Sequence, residues 1–330
     1  MSRLRGAWEA AWFGPEAPTN LAAARVVLAL QALWILLSRD LPALSALPPE
    51  FFAAVTDSAR WRYLLWEGHP VLERGLQSAA LLALAGALAG IAPRACCAAA
   101  GLLLYRLAPL EALFYTPSPW AKGLTGPVLG LLTLSLAPCG DALAVRVPRR
   151  PRAPWEYGWA LRLVQLFVAQ AYLFSGWAKL VQAGPAWAGA ANIRAWLLLS
   201  NQDEQLAVFS GPGLFVADRP ALALAMGVAA LAFDLIFVAA VFFPRSRRVL
   251  VPAAVLFHAG VLVTQNYAFL SAPLLLLFVD WDAIRNRSAT LRAAAATSSR
   301  LSPSSLQRTP TSFTRMPAAR ARASTSTSNM

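Results

Sequence analysis

Six ionisable residues lie inside long apolar stretches of this chain: Arg106, Glu111, Arg162, Lys179, Asp234 and His258. An ionisable side chain near a bilayer centre costs about 2.5 to 3.5 kcal/mol on insertion scales, so each needs a partner, a wet cavity or a purpose. Lys179 carries the most information, because the chain uses 27 Arg and only two Lys. Desolvated Lys can release its proton and Arg cannot, which makes Lys179 a candidate general base. The alternative is that Lys179 snorkels to the nearby helix end. Asp234, in Ala232-Phe233-Asp234-Leu235, has no adjacent cation and needs a partner on another helix, or a proton. His258, in Val255-Leu256-Phe257-His258, is either functional or hydrogen-bonded to a neighbouring helix. Arg106 and Glu111, five residues apart, are poorly spaced for each other and read as structural groups that pair across helices. Arg25 is close enough to a helix start to snorkel.

The elements that position these residues follow from composition. Of 330 residues 58% are hydrophobic and 14% charged, with mean hydropathy +0.51, far above a soluble domain. The reading is an all-α integral membrane protein with about eight transmembrane helices. They are expected near Leu21 to Ser38, Gly75 to Ala92, Ala95 to Tyr115, Gly123 to Ala137, Trp159 to Gln182, Ala221 to Phe243, Val249 to Gln265, and Tyr267 to Trp281. Arg3, Arg5, Arg94, Arg146, Arg149, Arg150, Arg152, Arg245, Arg247 and Arg248 then fall on one side, which makes both termini cytoplasmic. The expected location is the cell membrane. The N-terminus has no cleavage signal, so the first helix is expected to stay attached. Two long outer loops carry interfacial material, Trp61 to Trp66 in one and Ile193 to Leu199 in the other, as half-buried helices or as a lid.

The domain plan is a cytoplasmic segment over 1–20, a transmembrane domain over 21–282 and a tail over 283–330. The formal charge of +13 is concentrated in the tail, which holds eight Arg and no acid. Its Ser, Thr and Ala content predicts disorder. This placement argues against nucleic-acid binding; membrane lipids are the expected partners. Cys96, Cys97 and Cys139 lack a disulfide or metal spacing and read as structural thiols, and no metal is predicted. Nothing matches a nucleotide loop, a zinc site or a nucleophile elbow.

The fifth span contains Tyr172-Leu173-Phe174-Ser175-Gly176-Trp177-Ala178-Lys179-Leu180, with Trp187 and Gly189 beyond it. This segment resembles the vitamin K-dependent γ-carboxylase-like family, the horizontally transferred transmembrane (HTTM) domain, in which an aromatic run leads to Gly, two residues, Lys and Leu. Phe233-Asp234-Leu235 and Phe257-His258 are similar to two later steps of that pattern. The resemblance spans about Leu21 to Trp281 and puts Lys179 on the family's catalytic base. It implies a reduced quinone of the vitamin K type as cofactor or substrate. Asp234 and His258 are expected to orient the site, and Tyr172, Trp177 and Trp187 are the candidate substrate contacts. Where the family has a further His, this chain reads Trp120-Ala121-Lys122-Gly123. The expected function is a membrane enzyme using Lys179 on a lipid-soluble quinol. A non-catalytic scaffold or lipid-binding module is the alternative, and a transporter is third, since no internal repeat is visible.

Overall fold

The computed structural model describes residues 2–47, 69–112, 123–147, 152–202 and 209–300. In chain order its helices are α1 (Ser2–Phe13), α2 (Pro18–Ser38), α3 (Leu41–Ser45), α4 (Pro70–Ala89), α5 (Pro93–Ala112), α6 (Thr125–Leu136) and α7 (Trp155–Ala183). A 3₁₀ turn, Gly184–Ala188, leads to α8 (Ala190–Ser200), α9 (Ser210–Ala217), α10 (Pro220–Ile236), α11 (Ala239–Phe242) and α12 (Arg247–Gln265). A second 3₁₀ segment, Ala272–Phe278, precedes α13 (Trp281–Arg300). No strand occurs among the described residues, so the fold is all-α.

Three helices, α2, α4 and α12, are long and apolar enough to cross a membrane; α9 and α10, bent by 103°, make a fourth if taken as one broken span. Helices occupy the places expected for the first seven crossings. The eighth place differs: instead of a helix over Tyr267 to Trp281, the backbone forms the 3₁₀ segment Ala272–Phe278. Seven residues at about 2.0 Å rise cover about 14 Å, half the hydrocarbon thickness.

Non-helical backbone at membrane depth must be buried in protein and given partners. Both conditions hold here. Leu274, Leu275, Leu277 and Phe278 are buried, the Gln31 side chain donates to the Leu270 carbonyl at 3.0 Å, and Gln165 donates to the Leu277 carbonyl at 2.8 Å. The segment lies along α2, since its far end places Asp280 at 3.2 Å from the Asn20 amide.

Packing sorts the helices into inner and outer ones. The apolar window of α2 is 67% buried, that of α12 only 11%, which puts α2 at the centre and α12 at the edge. Apolar area gives helices little reason to associate in lipid, so close approach of small residues matters more. The buried face of α2 is accordingly rich in alanine: Ala22, Ala23, Ala24, Ala29 and Ala32.

One end of the bundle collects three arginines, Arg25, Arg162 and Arg247. The wholly buried Arg25 guanidinium donates to the carbonyls of Cys139 and Leu143. Arg25 was expected to snorkel; it faces the bundle, where the irregular 137–144 connector brings carbonyls closer than water. Arg162 donates to the Trp12 and Gly14 carbonyls at 3.2 and 3.0 Å, and Arg247 to Gln165 Oε1 at 2.8 Å. The backbone amide of Glu16 reaches the Pro154 carbonyl at 3.1 Å. The start of α2, the described stretches 137–147 and 152–154, the start of α12 and Asp280 therefore share that end.

Arg106 pairs with Glu73 across α4 and α5 at 2.8 Å. The side chain of Glu111 and the first interfacial loop, Trp61 to Trp66, lie outside the described residues. The second loop forms α8, which buries Ile193 and Leu197 and leaves Trp196 half exposed. The chain divides into units 1–282 and 283–330. The second unit, expected to be disordered from Ala283, begins as the continuation of α13 through Arg300; residues 301–330 lie outside the described ones.

Candidate functional site

Helix α7 sets out Tyr172, Ser175 and Lys179 at intervals of three and four, on one face of the helix. That face borders a cavity of about 540 Å³, also lined by Asp234 of α10, His258 of α12, and Phe269 and Leu270 after α12. Aromatic rings form part of the wall: Phe257, backed by Phe233 at 5.0 Å, Tyr172, backed by Phe237 at 4.6 Å, and His258, 4.9 Å from Phe269. An apolar concave site with a few convergent polar groups is the usual form of a small-molecule pocket.

Two polar pairs stand out. Lys179 Nζ donates to Asp234 Oδ2 at 2.5 Å, with side-chain exposures of 21% and 2%. Ser175 lines the cavity beside the Asp234 carboxylate. The ammonium lies 4.3 Å from the Trp187 ring centroid, a cation–π distance. In the second pair, Tyr172 Oη is 2.6 Å from His258 Nε2, both side chains being buried. His258 Nδ1 has no hydrogen-bond partner among the described residues.

Gly176 is what lets α7 and α10 approach closely enough for the first pair. A Cβ at that position would sit 2.9 Å from Asp234 Cβ and 3.1 Å from Leu235 Cδ2. The first is closer than real Cβ atoms approach and the second is tight, so a larger residue here requires Asp234 or Leu235 to shift.

Of the residues expected from the sequence, Lys179, Asp234, His258 and Tyr172 line the one cavity. Trp187 is not in the lining; its ring is occupied by Lys179. Trp177 is 61% exposed and also outside the lining. The reason is helical: two residues along α7 turn a side chain by about 200°, so Trp177 faces away from Lys179. No residue of α8 is among those that line the cavity. Ser175 escaped the sequence reading, although its position four residues before Lys179 was a usable sign. The Phe269 to Leu274 stretch was hidden because its non-helical backbone had been read as a helix.

Among the described residues no group of three or more His, Cys, Asp or Glu side chains converges as a metal site would need. No family model, no curated protein and no solved structure matches this chain.

Proposed function

We propose that this is a multi-pass membrane enzyme of the HTTM type that binds a lipid-soluble, quinol-type hydroxyl compound. The Lys179–Asp234 pair removes the hydroxyl proton, and Tyr172 and His258 orient the ring. One observation carries the reading: a single aromatic-walled cavity brings together four polar side chains that come from three separate helices. A flat aromatic ring fits such walls, and an ion pair in a low-dielectric pocket can exchange a proton with a bound hydroxyl. Deprotonation converts a quinol into an electron-rich anion, the form the family resemblance assigns to the reduced vitamin K type of cofactor.

The topology belongs to the same proposal. Eight passes, the last one non-helical, place both termini on the cytoplasmic side of the cell membrane. Support comes from the clustering of Arg25, Arg162 and Arg247 at one end of the bundle. α7 starts at that end, so Lys179, 24 residues after Trp155, opens toward the outer side.

The test is turnover of a reduced naphthoquinone under oxygen by the purified protein in detergent. Lys179→Ala should lower turnover by about 100-fold or more, the scale of a lost proton-transfer group. A Lys179→Ala protein that keeps its turnover would sink the enzyme reading. If neither protein turns over and the substitution only lowers thermal stability, the cavity serves a non-catalytic lipid-binding module. That second reading is favoured by one observation: Lys179 and Asp234 already satisfy each other.

A further inference from the structure

We infer that Asp234 is the proton acceptor of this site and that Lys179 remains an ammonium ion, stabilising the oxygen anion left on the ligand. The inference rests on the proposed acid–base function and assigns its two roles, reversing the expectation that Lys179 is the base.

A base needs a lone pair, and an ammonium nitrogen has none. Lys179 has two close neighbours, the Asp234 carboxylate at 2.5 Å and the Trp187 ring at 4.3 Å, and both attract a cation. Neither would favour a neutral amine. The lone pairs at the pair belong to the carboxylate, and Asp234 is 2% exposed yet contributes to the cavity wall. Lys179 holds that carboxylate in place. Lys179 has three N–H donors, one of which is on Asp234. It lines the cavity beside Asp234, so an oxygen that gives its proton to the carboxylate stays within reach of the ammonium.

The step balances without any further reactant. The ligand O–H bond breaks, the proton forms an O–H bond on Asp234, and the electron pair stays on the ligand oxygen. The negative charge moves from Asp234 to the ligand while Lys179 remains positive, so the site keeps zero net charge. Moving one charge a short distance beside a fixed cation is far less costly in a dry pocket than creating a new one. The ligand class follows: an acidic hydroxyl on a flat apolar ring, that is, a phenol, quinol or enol.

The test uses 2-hydroxy-1,4-naphthoquinone, already an anion at neutral pH, and the full chain in detergent. Binding is followed by tryptophan fluorescence, and proton uptake by calorimetry in buffers of different ionisation enthalpy. Placing the anion beside the ion pair should draw one proton onto Asp234, so binding to the native protein takes up about one proton. Asp234→Asn should bind the anion without uptake and about tenfold more tightly, because a neighbouring negative charge is gone. Lys179→Arg, which keeps a cation but cannot act as a base, should retain uptake of about one proton. Asp234→Glu guards against misfolding in the Asn variant and should restore uptake. Uptake that survives Asp234→Asn, or uptake that vanishes in Lys179→Arg, overturns this assignment and leaves Lys179 as the base. A native protein that does not bind the hydroxynaphthoquinone overturns the quinol reading and this inference together.

Discussion

Tyr172 and His258 form the contact that ties α7 to α12 beside the cavity. Tyr172→Phe removes the hydroxyl and leaves His258 Nε2 buried without a partner, in addition to the unpartnered Nδ1. A buried polar group deprived of its partner costs about 1 to 3 kcal/mol, so this variant should unfold at measurably lower denaturant or temperature in detergent. Trp177→Leu changes a side chain that faces away from the cavity, and it should leave ligand binding and turnover at native levels. A large loss of binding in Trp177→Leu would mean that the ligand sits elsewhere. The contrast between these two neighbouring aromatics rests on the 3.6-residue turn alone.

At the scale of elements, two packing arrangements hold the site in place. The first is the approach of α7 and α10 at Gly176. Gly176→Val puts branched carbon into space already taken by Asp234 and Leu235. Overpacking of this kind costs about 1 to 3 kcal/mol, and here it also separates the ion pair. The expected result is lost reduced-naphthoquinone turnover in a protein that still folds, and circular dichroism checks the second part. The second arrangement is the non-helical stretch that carries Phe269 to Leu274. Gln31 and Gln165 satisfy its carbonyls, and Gln165 also accepts from Arg247. Gln165→Leu strips partners from both, so it should destabilise the fold by about 1 to 3 kcal/mol and weaken ligand binding through movement of the cavity wall. Thermal unfolding and fluorescence titration of the same variant separate the two effects.

For the whole molecule, the proposed topology puts the two ends of the 1–282 unit in the same compartment, in keeping with the clustering of Arg25, Arg162 and Arg247 with the start of α2 and Asp280. A fluorescent protein fused after the final residue should fluoresce, and alkaline phosphatase at the same position should be inactive, as expected for a cytoplasmic end. The opposite pattern would reverse the orientation. These arginines bind backbone carbonyls rather than carboxylates, which suits connectors whose carbonyls no helix satisfies. Burial of such groups is an organising feature of the bundle, and it was invisible in the hydropathy pattern.

Hydropathy and helical period determined the all-α class and the places of seven helices, because a chain in lipid must satisfy its backbone locally. They also marked Lys179, Asp234 and His258, since a charged or polar residue amid apolar ones is conspicuous without any structure. Tyr172 came from the same motif. The tertiary structure decided the rest. It alone showed that Lys179 pairs with Asp234, that the Trp187 ring lies against the Lys179 ammonium, and that Arg25 is buried instead of snorkelling. The place expected for an eighth helix became a 3₁₀ segment because Gln31 and Gln165, distant in sequence, supply its hydrogen bonds. Partners separated by 55 to 239 residues are a property of packing, and no local pattern of residue types encodes which of them meet.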